Sequence, residues 1–94
     1  MDIRRCLWSD HVIEKLARRH HLSTEEVEEV LAARPRFRRL SRGHLRGEDL
    51  YVAHGQTEAG RYVTVFFVHK RSGDALIVTA RDMDEKERST YRRK

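Results

Sequence analysis

The chain contains one proline, Pro35, and its hydrophobic periodicity changes there. Before Pro35, apolar residues recur every three or four positions; beyond it they alternate or run together. Proline breaks a helix interior, and the two spacings belong to helix and strand respectively. The chain is therefore constrained to a helical opening segment followed by a strand-rich remainder.

Val12, Ile13, Leu16, Ala17 and His20 follow helical spacing from Ser9 to about His20, with Ser9 or Asp10 available as the cap and Glu14–Arg18 as a supporting pair. A second helix begins at Ser23, where Ser23-Thr24-Glu25-Glu26 forms a capping box; Val27, Val30 and Leu31 give its buried stripe and Pro35 closes it. Arg36–Leu40 then reads as a short basic strand, Leu50–Gln56 as a second, Tyr62–His69 as a central strand apolar on both faces, and Ala75–Arg81 as a fourth. The turns are 57–60 and 71–73, and Asp84-Glu85-Lys86-Glu87 opens a last helix to about Arg92. The expected fold is a single small α+β domain over residues 1–94, of order ααββββα, with helices packed on one face of an antiparallel sheet.

This order carries a prediction about side chains. Folding back at 57–60 sets His54 opposite a residue near Val63, and folding back at 71–73 sets Arg81 opposite residue 62 or 63. His54, Arg61 and Arg81 would then gather at one end of the sheet, with a one-residue slip sending any of them to the other face.

Charge narrows the partner. Twenty Lys and Arg against fifteen Asp and Glu leave a formal charge of +5, and sixteen of the bases are Arg, whose forked donors suit phosphates and carboxylates. The densest run is Arg34, Arg36, Arg38, Arg39, Arg42 and Arg46. It suits either a nucleic-acid backbone or an edge strand kept soluble by charge, and such an edge can also dock an extended partner segment or a second copy in an oligomer. The single cysteine, Cys6, closes no internal disulfide, and no secretory signal or membrane-spanning run is visible, the longest apolar stretch being Val65–Val68. A cytoplasmic protein with no membrane partner is expected. His11, His20, His21, His44, His54 and His69 lack metal-ligand spacing, and neither a P-loop nor a Gly-x-Gly-x-x-Gly pattern occurs, so no metal or other cofactor is expected.

Metal-free RNA cleavage needs few groups: a base for the 2′-OH, an acid for the leaving 5′-oxygen, and cations for the phosphorane. His20, His54, Arg61, Arg81 and Tyr91 are of the right kinds. Each also has a structural reading: His20 closing a helix, Arg81 pairing with Asp82, Asp84 or Glu87, Tyr91 in the core. A ribonuclease requires these side chains to converge in a concave surface, whereas an Arg81–Glu87 pair away from any groove argues against one.

Several short motifs, in order along nearly the whole chain, resemble the BrnT-type toxins of bacterial toxin–antitoxin pairs. They are Trp8…Lys15…Arg19-His20, Ser23-x-x-Glu26, Gly47-Glu48-Asp49-x-Tyr51, Gly60-Arg61, Thr79-Ala80-Arg81 and Glu87-Arg88-x-x-Tyr91. The resemblance implies a RelE-like α+β endoribonuclease that works without metal in the cytoplasm and is held inactive by a cognate antitoxin protein. It maps site residues onto His20, Arg61, Arg81, Glu87, Arg88 and Tyr91. Val12 and Leu16 stand where the family usually has Lys and Asn, His21 stands for a Gly, and Lys15 is the nearest replacement for the lysine. The expected catalytic set is His20, His54, Arg61, Arg81 and Tyr91, with Lys15, Arg36, Arg38, Arg39, Arg42 and Arg88 binding RNA. The alternative is a non-catalytic RNA-binding or partner-binding domain of the same fold.

Overall fold

A computed structural model describes residues 1–43 and 47–93. The elements are β1 (Cys6–Leu7), α1 (Asp10–Lys15) continued by a π-helical turn (Leu16–His20), α2 (Thr24–Ala32), β2 (Arg36–Ser41), β3 (Asp49–Gln56), β4 (Tyr62–His69), β5 (Ala75–Asp82) and α3 (Glu85–Arg93). They form an α+β domain in the expected order, with one strand added at the front. Five strands lie in the order β1-β5-β4-β3-β2. The added strand β1 runs parallel to β5, pairing Cys6 with Ala75 and Leu7 with Leu76, so the sheet is mixed rather than wholly antiparallel. Two residues are too few to show a period; β1 is set by Arg4 N–H donating to the Gly73 carbonyl and Ala75 N–H to the Arg5 carbonyl, both at 2.9 Å. Among the described residues, no helix is long and apolar enough to cross a membrane.

Alternation along the strands separates two faces. Val63, Val65 and Phe67 of β4 pack with Ala53, Ile77 and Ala80 against Leu16, Leu22, Val27, Val30 and Leu31 of the first two helical segments and the connection between them, forming the core. The capping box holds α2 in register: Ser23 Oγ accepts the Glu26 N–H at 3.1 Å and Glu26 Oε1 accepts the Ser23 N–H at 3.0 Å. Helix α3 does not join this layer. Its Glu87 and Tyr91 meet Thr64 and Tyr62, on the other face of β4. The expectation of all helices on one face is corrected here. The physical reason is that α3 buries no residue of its own and docks through polar and aromatic contacts, which the apolar core face does not offer.

The first helix closes unusually. After the π-helical turn, His21 adopts the left-handed conformation (φ 53°), and the N–H groups of His21 and Leu22 both reach the Leu16 carbonyl. A left-handed backbone is the conformation that favours glycine, and here a histidine adopts it. Leu16 is 1% exposed and Val12 packs against the same core, so these two apolar residues are core residues of this chain. The helix end is held by Arg61. Its Nη1 and Nη2 donate to the His21 and His20 carbonyls, each at 2.8 Å, and its Nε and Nη2 donate to the Asp82 carboxylate at 2.7 and 3.3 Å. Nη1 also reaches Glu26 at 3.4 Å. A guanidinium has five N–H donors, and all five are engaged.

Replacing Arg61 by methionine, which keeps most of the aliphatic stem, should therefore destabilise the fold by about 2 kcal/mol, since two helix-end carbonyls and two carboxylates lose a charged donor. Urea unfolding measures it; an unchanged midpoint would show that the clamp carries no stability.

Candidate functional site between β2 and α3

The register across β3, β4 and β5 places His54 opposite Thr64 and Thr64 opposite Arg81. The partner of His54 lies one residue beyond that expected from sequence, and the partner of Arg81 one beyond the nearer of its two expected positions. Two local features produce the shift. Gln56 pairs with Tyr62, so the β3–β4 connection spans residues 57–61, with Gly60 at φ 93°. In β5, Phe67 pairs with Ile77 but Phe66 with Thr79, a bulge that leaves Val78 without a partner. An odd shift inverts the face. His54 and Arg81 thus flank Thr64 on the α3 face, while Arg61 and the end of the first helix, with His20, lie on the core side. The expected gathering is corrected: His54 and Arg81 come together, and Arg61 does not join them.

The group that assembles this face is Glu87. Asp84-x-x-Glu87 is a capping box, with Asp84 Oδ1 accepting the Glu87 N–H at 2.7 Å and Glu87 Oε1 accepting the Asp84 N–H at 2.9 Å. Arg81 forks onto the same carboxylate, Nη1 to Oε1 at 2.7 Å and Nη2 to Oε2 at 3.0 Å. Thr64, fully buried in the central strand, donates its hydroxyl to Oε1 at 3.2 Å. His54 Nε2 lies 3.4 Å from Oε2. The Arg81 hydrogen bonds, followed by the Asp84 N–H and His54, outweigh partial burial and hold the Glu87 carboxyl down at about 2. Arg81 also donates to the Asp82 carbonyl at 3.2 Å and lies 5.5 Å from the Phe66 ring centroid.

Above this cluster runs an open groove of about 530 Å³. Arg36 and Arg38 of β2 line one side, Lys86 and Tyr91 of α3 the other, with His54 and Glu87 between them. The cross-strand pairs Arg36–His54 and Arg38–Val52 put both arginines on this face. The Arg36 guanidinium is 5.3 Å from the centre of the Tyr91 ring, which meets Tyr62 edge-on at 5.9 Å. Tyr91 is thus a groove residue rather than a core one. Arg81 stands behind Glu87 and does not line the groove.

The remaining expected residues fall elsewhere. Lys15 and His20 belong to the first helical segment, on the core side. Arg39 alternates to the other face from Arg38 and pairs with Asp49 at 3.5 Å. Arg42 is exposed beyond the end of β2, and Arg88 lies over the Tyr62 ring at 4.7 Å. His44 and Arg46 lie outside the described residues. Lys86 and Thr64 were not foreseen. Thr64 gave one signal, a hydroxyl within an otherwise apolar central strand; Lys86 gave none beyond its place in the first turn of α3. Among the described residues, no three His, Cys, Asp or Glu side chains stand close enough to hold a metal ion.

Residues 8–87 match the family model described as the ribonuclease toxin, BrnT, of a type II toxin–antitoxin system. The match spans most of the chain, and the chain belongs to this family. Among curated proteins, none matches it.

The depressed carboxyl at Glu87 makes stability depend on pH. Its contribution is fully present above about 4.5 and is lost as pH falls towards about 2, because protonation breaks the pair with Arg81. Glu87→Gln should lower stability at neutral pH by on the order of 2 kcal/mol and flatten the acid limb. Thermal unfolding followed between those pH values tests this, and parallel curves for the two proteins would contradict it.

Proposed function

We propose that this chain is a metal-independent endoribonuclease, the toxin of a type II toxin–antitoxin pair, and that the groove between β2 and α3 is where RNA is cut. The observation that carries the reading is a histidine tied to an anchored carboxylate beneath two arginines, Arg36 and Arg38, that make no ion pair among the described residues. With its Nε2–H directed at Glu87, the His54 imidazole keeps Nδ1 as its basic atom. It takes the proton of the 2′-OH; the oxygen bonds to phosphorus and the bond to the 5′-oxygen breaks. The leaving oxygen gains a proton from the Lys86 ammonium or from water, leaving a 2′,3′-cyclic phosphate and a 5′-hydroxyl. Arg36 and Arg38 hold the phosphate and its developing charge, and Tyr91 offers a ring to the adjoining sugar or base. Arg81 and Thr64 act through Glu87 as positioning residues. His20 and Arg61 serve the fold. The protein acts in the cytoplasm as a single domain and is restrained by a cognate antitoxin.

A second reading is a non-catalytic RNA-binding or partner-binding domain, favoured by the engagement of Arg61 and Arg81 within the protein and by Val12 and Leu16 in the core.

Cleavage of mixed single-stranded RNA in EDTA, with and without ribosomes, separates the two. The ribonuclease reading predicts cyclic-phosphate ends, a loss of about 100-fold or more in rate for His54→Ala, and little change for His20→Ala. Salt-sensitive binding without cleavage in either condition would select the second reading. Cleavage that survives His54→Ala would move the site elsewhere.

A further inference from the structure

The groove does not end at the contact between Arg36 and Tyr91. On the far side of that contact a second recess of about 520 Å³ opens, lined by Arg34, Arg36, Gln56, Tyr62, Tyr91 and Arg92. Arg36 and Tyr91 line both recesses, so the two are halves of one trough with a guanidinium–phenol pair as the bar between them. Their chemistry differs. The first half sets an imidazole, two carboxylates and an ammonium beside the Arg36 and Arg38 guanidinium groups and Tyr91; the second holds three guanidinium groups, an amide and two phenols, and no acidic lining residue.

We propose that the second half is a subsite for the nucleotide next to the scissile bond, taking the phosphate of single-stranded RNA on Arg34 and Arg92 and its base against Tyr62 and Tyr91. The inference rests on the ribonuclease reading above and adds to it where the strand runs. Arg34, Arg36 and Arg92 are exposed and make no ion pair among the described residues, so their charge is available to an anion. Arg34 is held in the left-handed region (φ 54°), and the next residue, Pro35, is buried, which fixes the backbone at the mouth of the recess. Tyr62 and Tyr91 meet edge to face at 79°, and each ring carries an arginine, Arg88 at 4.7 Å and Arg36 at 5.3 Å. Guanidinium and phenol planes in alternation are surfaces on which any base can stack, and neighbouring cations serve the phosphate that comes with it. An acidic peptide would use the guanidinium groups but has no need of the two rings, and it would have no reason to continue into a recess built around an imidazole.

The test uses the full chain and a short mixed-sequence single-stranded RNA carrying 2′-O-methyl groups, which cannot supply the attacking hydroxyl. Binding is followed by fluorescence anisotropy over a range of KCl concentrations. Arg34→Ala combined with Arg92→Ala should weaken binding about 10-fold and reduce the slope of log affinity against log salt by about 1. Tyr62→Leu should weaken it by a similar factor with the slope unchanged, since stacking releases no counterions. Arg18→Ala combined with Arg19→Ala, an equal loss of charge on the first helix, should leave binding within about 2-fold. Wild-type binding that the Arg34/Arg92 variant retains, or loses no more than the Arg18/Arg19 control, would overturn the subsite and leave the ribonuclease reading standing. Loss of affinity for poly-glutamate but not for RNA would overturn it in favour of an acidic peptide. A wild-type protein that binds no RNA at low salt would overturn both readings together.

Discussion

The carboxylate of Glu87 accepts hydrogen bonds from the Arg81 fork, the Thr64 hydroxyl and the Asp84 N–H, and lies within reach of the His54 ring. Those partners come from three adjacent strands and from the start of α3. Helix α3 buries no residue, so apolar packing contributes little to its attachment. What holds it is one charge-assisted cluster, partly screened from water, in which several donors share a single carboxylate. The groove exists because α3 is held there, and the imidazole is oriented because the carboxylate beneath it is already fixed by stronger partners.

Two arginines perform equivalent tasks on opposite faces of the sheet. Arg61 joins the end of the first helix to Asp82 at the end of β5, and Arg81 joins the start of α3 to the same strand through Glu87. Arginine suits both positions because its planar fork meets a carboxylate along two bonds while retaining donors for carbonyls. All five donors of Arg61 are engaged within the fold, and Arg81 spends its fork on Glu87. Bordering the trough, Arg34, Arg36, Arg38 and Arg92 have no carboxylate partner among the described residues, and their charge is left for a polyanion.

Local signals in the sequence carried most of the architecture. Both capping boxes, Ser23–Glu26 and Asp84–Glu87, are present with reciprocal hydrogen bonds, because such motifs depend on four consecutive residues and little else. Pro35 does separate helix from strand, and the central strand is β4, flanked on both sides. What alternation alone did not supply was parity. A five-residue connection at 57–61 and a bulge at Val78 each add one residue to a count that must be even or odd to choose a face, and neither leaves a mark in the apolar pattern. Counted without those two residues, Arg61 shares a face with His54 and Arg81; in the structure it lies on the other side. Glu87 was legible as a cap and as one possible partner of Arg81, but its meeting with Thr64 and His54 depends on the same register.

The direction in which Glu87 orients the His54 ring decides whether the groove holds a base, and the tautomer of the neutral imidazole reports it. Long-range ¹⁵N–¹H correlation spectra of the labelled protein at mildly alkaline pH distinguish the two ring nitrogens. A proton on Nε2, with Nδ1 bare and basic, is the predicted result. A proton fixed on Nδ1, or a freely averaging mixture, would mean that Glu87 does not set the ring and that the groove lacks the base assigned to it.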